Sequence, residues 1–123
     1  MKKLTKGEEE VMHIIWKLER CIVSDILKYM EEEMNMKKPP HSTVSSIVRI
    51  LESKGFLDHK AYGRTYEYFP IVTKEEYSKT TLKKFVSDYF EGSMSNLVSF
   101  IVKEKNLNVK ELESIIDRIQ EEE

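Results

Sequence analysis

A mainly α-helical fold carrying one small β-hairpin is predicted by three observations. Apolar residues recur at i, i+3, i+4 and i+7 in several separate stretches. Two β-compatible runs flank a glycine-containing reversal at residues 61–64. Glycine and proline are scarce, 4 and 3 among 123 residues, so helices meet few interruptions.

Thr5-Lys6-Gly7-Glu8 is a T-x-x-E capping box, in which hydroxyl and carboxylate each satisfy an orphan amide at a helix start. Val11, Met12, Ile15, Trp16 and Leu18 form the apolar side of this first helix. The run Glu8-Glu9-Glu10 suits the positive end of the helix dipole and reads as solvated surface. Cys21-Ile22-Val23 is short, apolar and β-branched, the pattern of a brief strand. Ser24 is placed to cap a second helix on which Ile26, Leu27, Met30 and Met34 recur at helical spacing, with Glu31, Glu32 and Glu33 outward. Residues 35–40 turn the chain. The methionines at 30, 34 and 36 read as core filling rather than a soft-metal site.

A third helix is predicted from Val44 to Lys54, with Val44, Ile47, Val48 and Leu51 in one stripe that must be buried. The opposite face carries Ser42, Ser45, Ser46, Arg49 and Ser53. Short hydroxyl side chains around one long cation make a narrow surface with donors and acceptors for base edges and a charge for guanine or phosphate. Pro39-Pro40 precede this helix and Gly55 follows it, where a fixed φ and a left-handed residue are respectively favoured. Next, residues 56–60 and 65–69 read as two strands joined by Ala61-Tyr62-Gly63-Arg64. Gly63 supplies a positive φ, Arg64 stands beside it to meet a phosphate or a minor groove, and Pro70 ends the strand. Tyr66 and Tyr68 share one face, which is expected to lie in the core against helix one. Three helices, a short strand and a hairpin in this order make a winged helix-turn-helix DNA-binding domain over residues 1–72.

Residues 73–123 form the second region. Thr73-Lys74-Glu75-Glu76 is another capping box, followed by a ridge of Tyr77, Leu82, Phe85, Val86, Tyr89 and Phe90. Gly92-Ser93 breaks the helix, and Ser93 is placed to cap the next, bearing Met94, Leu97, Val98, Ile101 and Val102. Asn108 is placed to cap a last one bearing Val109, Leu112, Ile115, Ile116 and Ile119. Fifty-one residues with this many large side chains on three helices cannot hide them within one chain. A homodimer is expected, using Phe85, Tyr89, Phe90, Leu97, Ile101, Leu112, Ile115, Ile116 and Ile119.

The formal charge of −2 is unevenly distributed: Lys and Arg number 6 against 2 acids in residues 37–64, but 6 against 8 before and 8 against 12 after. The basic surplus coincides with the proposed reading stretch, where Lys37, Lys38, Arg49, Lys54, Lys60 and Arg64 can neutralise phosphates, so the expected partner is double-stranded DNA. Cys21 is the only cysteine, and with His13, His41 and His59 it shows no metal-ligand spacing. No nucleophile, base and oxyanion donor cluster in the sequence, so no enzyme and no cofactor is expected. No apolar run has the roughly 18 residues of a membrane span, and no signal-peptide core follows Met1, which points to the cytoplasm and no membrane insertion.

The segments EEEVMHIIW, STVSSIVRILESKGFLDHK and SNLVSFIVKEKNLNVKELESI, in this order and spacing, resemble the BlaI/MecI penicillinase repressor family along nearly the whole chain. The resemblance implies a symmetric dimer with interlocking C-terminal helices that occupies a pseudo-palindromic operator and represses genes of antibiotic resistance or cell-wall stress. It places Ser42, Thr43, Ser45 and Ser46 where the family's helix meets bases and backbone, with Arg64 in the wing. Serines here stand where staphylococcal members are richer in Lys and Arg, and Ile50 fills the usual arginine slot, one residue after Arg49. The family's members are released by cleavage of an Asn-Phe bond through a membrane sensor protease; the aligned pair here is Phe100-Ile101. Copper-responsive relatives carry paired C-terminal cysteines, which this chain lacks. Two other classes remain open: a small-molecule-sensing winged-helix regulator, and a winged module that binds protein.

Overall fold

The computed structural model describes residues 1–105 and Lys110, and the chain divides into two compact units, Met1–Lys74 and Glu75–Glu123. The elements are α1 (Lys6–Leu18), α2 (Val23–Glu32), α3 (His41–Ser53), β1 (Leu57–Tyr62), β2 (Thr65–Pro70), α4 (Lys74–Phe90) and α5 (Met94–Lys105). Three helices followed by a two-stranded antiparallel hairpin are the parts of a winged helix-turn-helix, mainly α as predicted. The last predicted helix, with its Asn108 cap and Leu112, Ile115, Ile116 and Ile119, lies outside the described residues.

In the first unit α1 starts at its capping box: the Glu8 N–H donates to Thr5 Oγ1 at 3.2 Å and the Thr5 N–H to Glu8 Oε1 at 3.1 Å. Val11, Met12, Ile14 and Ile15 are buried, and they meet Ile26, Leu27 and Met30 of α2 and Val44, Val48 and Leu51 of α3 in one core. Burying each such side chain stabilises by about 1.5–3 kcal/mol. Glu8, expected on the solvated surface, is itself buried.

The expected strand at Cys21-Ile22-Val23 shrinks to one bridging residue. Cys21 exchanges both backbone hydrogen bonds with Tyr68, at 3.0 and 2.7 Å. The Asp25 carboxylate then accepts the Ile22 N–H at 3.0 Å and turns the chain into helix at once. Ile22, not Ser24, is therefore the N-cap of α2. The helix stops at Glu32, where Asn35 takes a left-handed φ of 54° and the Met36 N–H reaches back to the Met30 carbonyl at 2.9 Å. That early stop leaves Met34 and Met36 exposed rather than in the core.

α3 begins at His41, three residues before the predicted start, directly after Pro40. Its end is a Schellman motif: the Phe56 N–H donates to the Leu51 carbonyl and the Gly55 N–H to the Glu52 carbonyl, both at 3.0 Å. Gly55 has φ +85°, a conformation that costs any Cβ-bearing residue about 1–2 kcal/mol. Ile47, predicted within the buried stripe, is only half-buried.

In the hairpin Leu57 pairs with Pro70, His59 with Tyr68 and Tyr62 with Thr65. Gly63, with φ +64°, takes the first of the two turn positions, where a two-residue hairpin loop favours glycine. Tyr68 joins the core, but Tyr66 does not: it is exposed and stacks on His59, ring centroids 4.1 Å apart.

In the second unit Gly92, with φ +77°, ends α4, its N–H donating to the Val86 carbonyl at 3.0 Å. Ser93 Oγ accepts the Asn96 N–H at 3.1 Å and caps α5. Val86 is the buried residue of α4, whereas Phe85 and Tyr89 are exposed. Among the described residues no helix is long and apolar enough to cross a membrane.

Candidate nucleic-acid interface

Burial of Val44, Val48 and Leu51 fixes which side of α3 faces outward. On that side Ser42, Thr43, Ser46 and Arg49 are exposed and Ser45 is half-buried. Arg49 Nη2 donates to Ser45 Oγ at 3.4 Å, a long bond that a base or phosphate can displace. Arg64 stands exposed in the hairpin turn. A groove of about 510 Å³ runs between α3, the wing and the start of α2, and Ser45, Arg49, Arg64 and Tyr66 line it. The two arginines thus share one concave polar surface, while Ser42, Thr43 and Ser46 lie on the adjoining face of α3. Tyr62, missed by the sequence reading, is exposed at the wing tip with the Lys60 ammonium 5.3 Å from its ring centroid.

Two side-chain contacts hold the C-terminal end of α3. Glu52 bonds His59 Nδ1 across the turn into β1, and Asp58 Oδ1 accepts the His59 N–H at 2.8 Å. Glu52, Asp58 and His59 bring metal-ligand atom types within 4.8 Å of one another. The donor atoms of Glu52 and His59 are bonded to each other, and the cluster braces α3 against the wing. Residue spacing concealed this group because the Gly55 turn folds Glu52 onto a histidine seven positions later.

The second contact corrects an expectation. Lys54, counted among the phosphate-neutralising residues, points inward: its Nζ donates to Glu8 Oε1 at 2.5 Å and to the Lys3 carbonyl at 2.9 Å. Hydrogen bonding from the Lys54 ammonium holds the Glu8 carboxyl below its ordinary 4.5, against the opposing effect of burial. A depressed folded-state value contributes stability that is present above the ordinary carboxylate range and is lost as pH falls through the depressed one. Thermal melts of wild type should therefore drop more steeply in acid than those of Glu8→Gln. Parallel pH profiles would contradict this.

Cys21 is buried, and burial first, then the Asp25 and Glu67 charges, pushes its thiol up to about 12. Only a thiolate attacks efficiently. In native protein Cys21 is expected to resist iodoacetamide at neutral pH and to react fully once urea is added; rapid native labelling would contradict that burial.

A sequence model described as the penicillinase repressor matches residues 4–121. The chain belongs to the penicillinase repressor family. Among similar members, the methicillin resistance regulatory protein MecI of Staphylococcus aureus (strain N315) is 27% identical over 114 residues, covering 92% of this chain and 89% of that protein. The penicillinase repressor of Bacillus licheniformis is 22% identical over 119 residues, 97% of this chain and 91% of that one. A solution structure of the DNA binding domain of the repressor BlaI matches at 28% identity with a TM-score of 0.49, over 63% of this chain and 94% of that one. In this penicillinase repressor family member, Ile50 is 42% exposed on α3, an apolar surface beside the hydroxyl and arginine face.

Proposed function

We propose that the chain is a homodimeric transcriptional repressor that binds a pseudo-palindromic operator in double-stranded DNA and controls antibiotic-resistance or cell-wall-stress genes. The observation that carries this reading is the outward face of α3. Ser42, Thr43, Ser45, Ser46 and Arg49 present hydroxyls and one guanidinium without bulk, and Arg64 flanks them across the groove. Membership of a family described as penicillinase repressors supports it. In the proposed complex α3 lies in a major groove, its serines meeting base edges or backbone, and the wing sets Arg64 against a phosphate or the neighbouring minor groove.

Dimerisation is supported by the second unit's own surface. Phe85, Tyr89 and Phe100 are 45%, 72% and 52% exposed. Their rings lie in a chain of contacts through Phe90, with centroids 5.0 Å apart for Phe85 and Tyr89, 5.8 Å for Phe85 and Phe90, and 5.5 Å for Phe90 and Phe100. Leu97 and Ile101 are half-buried beside them on α5. An apolar patch of this kind is commonly covered by a partner, and two-fold pairing gives two reading helices for two half-sites. The release route proposed with it is cleavage by a membrane sensor protease at Phe100-Ile101, a pair that aligns with the family's Asn-Phe bond but lacks its asparagine. The bond lies inside α5, so the helix must unwind locally before a protease can hold it extended.

Selection of duplexes from a random pool by purified protein tests the reading. Two inverted half-sites should be enriched, and sedimentation should give twice the chain mass. No enrichment, or a monomer at micromolar concentration, would overturn it.

A further inference from the structure

We infer that Glu8 and Lys54 are positioning residues for DNA reading, holding the C-terminal end of α3 against the start of α1; the inference rests on the DNA-binding function proposed above. Lys54 is the C-cap of α3, and its ammonium spends one N–H on Glu8 Oε1 at 2.5 Å and another on the Lys3 carbonyl at 2.9 Å. Glu8 Oε1 also accepts the Thr5 N–H at 3.1 Å. One network therefore ties the end of the proposed reading helix to the first turn of α1 and to the segment that leads into it. Glu8 is only 7% exposed and the Lys54 side chain 22%, so this pair is shielded from salt far more than a surface pair.

Apolar packing through Val44, Val48 and Leu51 fixes which side of α3 is buried but is non-directional about small sliding or tilt. A hydrogen-bonded ion pair at a low-dielectric junction has a direction and length that hold one orientation. The lever matters: a helix of 13 residues is about 20 Å long, and the proposed reading side chains, Ser42 to Arg49, occupy its other part. A small tilt at Lys54 displaces them from the base edges. Glu8 itself lies in α1, away from that face, and its effect on DNA is transmitted through Lys54.

Charge and positioning predict opposite signs for Glu8→Gln. Removing a carboxylate makes the protein more positive and, by electrostatics alone, tightens its hold on any duplex. Positioning predicts weaker binding to the specific duplex. The experiment is fluorescence anisotropy of the full chain with a duplex selected from a random pool and with poly(dI-dC). It is run where circular dichroism shows each variant folded, so a role in stability alone leaves the ratio of the two affinities unmoved. Glu8→Gln is expected to bind the selected duplex roughly tenfold more weakly, about the loss of one well-placed base contact, with poly(dI-dC) affinity not reduced. Lys54→Met should show the same loss with its log affinity against log salt slope unchanged, and Lys54→Arg should restore most of it. Should Lys54→Met not fold, the near-isosteric Glu8→Gln carries the test. Wild-type affinity for the selected duplex in Glu8→Gln, or a slope shallower by about 0.9 in Lys54→Met as for a lost phosphate contact, would overturn the inference. Wild-type protein that binds neither duplex would instead remove the DNA-binding reading, and the inference with it.

Discussion

Phe56→Ala is expected to lose about 3–5 kcal/mol of folding stability, the range for truncating a fully buried aromatic side chain. Phe56 is 0% exposed and sits where three elements meet. Its N–H closes the end of α3 on Leu51, and its carbonyl accepts the Ile71 N–H at 2.9 Å beyond the end of β2. Its ring follows the Schellman glycine, the position whose apolar contact with the last helical turn completes that motif. The cavity therefore opens at the joint between α3 and the wing. A total stability of about 5–15 kcal/mol is typical of a domain, so the variant should melt far earlier and denature at much lower urea. A midpoint shift worth less than about 1 kcal/mol would mean that the joint is held by something else.

Arg49→Ala is expected to weaken binding to the proposed operator by about 1–3 kcal/mol while leaving the fold intact, because the side chain is exposed and its hydrogen bond among the described residues is the long contact to Ser45. The pattern of loss distinguishes its partner. Contact with a guanine edge relaxes specificity at one base pair, whereas contact with phosphate weakens all sequences alike and reduces the salt slope. Gel-shift titration on operator variants reads both, and unchanged affinity would remove Arg49 from the interface.

Much of this fold is legible from residue spacing. The α3 stripe, the Thr5 capping box, Gly55, Gly63 and Ser93 are local signals, and local geometry obeys them. What stayed hidden depends on partners distant in sequence. The Thr5 capping box sets Glu8 apart from Glu9 and Glu10 but does not show that it is buried; the partner that meets it there, Lys54, comes 46 residues later, and that contact removes Lys54 from the set expected to neutralise phosphates. Cys21-Ile22-Val23 has strand propensity, but the Asp25 carboxylate captures the Ile22 amide and converts the run to a helix start. Tyr66 and Tyr68 alternate identically on β2; Cys21 pairs with the second and draws it inward, while the first stacks on the His59 ring. The exposed α3 face is legible as surface from its serines. Its shared groove with Arg64 follows from the fold of the wing, which no spacing rule encodes.

The central claim is that the outward side of α3 and the wing grip duplex DNA through a few cations. Anisotropy titrations of a selected duplex across a salt series measure that grip directly. The account predicts that log affinity falls linearly with log salt, steepened by about 0.9 for each phosphate neutralised, and that Arg49→Ala with Arg64→Ala sharply reduces affinity. An affinity independent of salt, or one that survives the loss of both arginines, would contradict it.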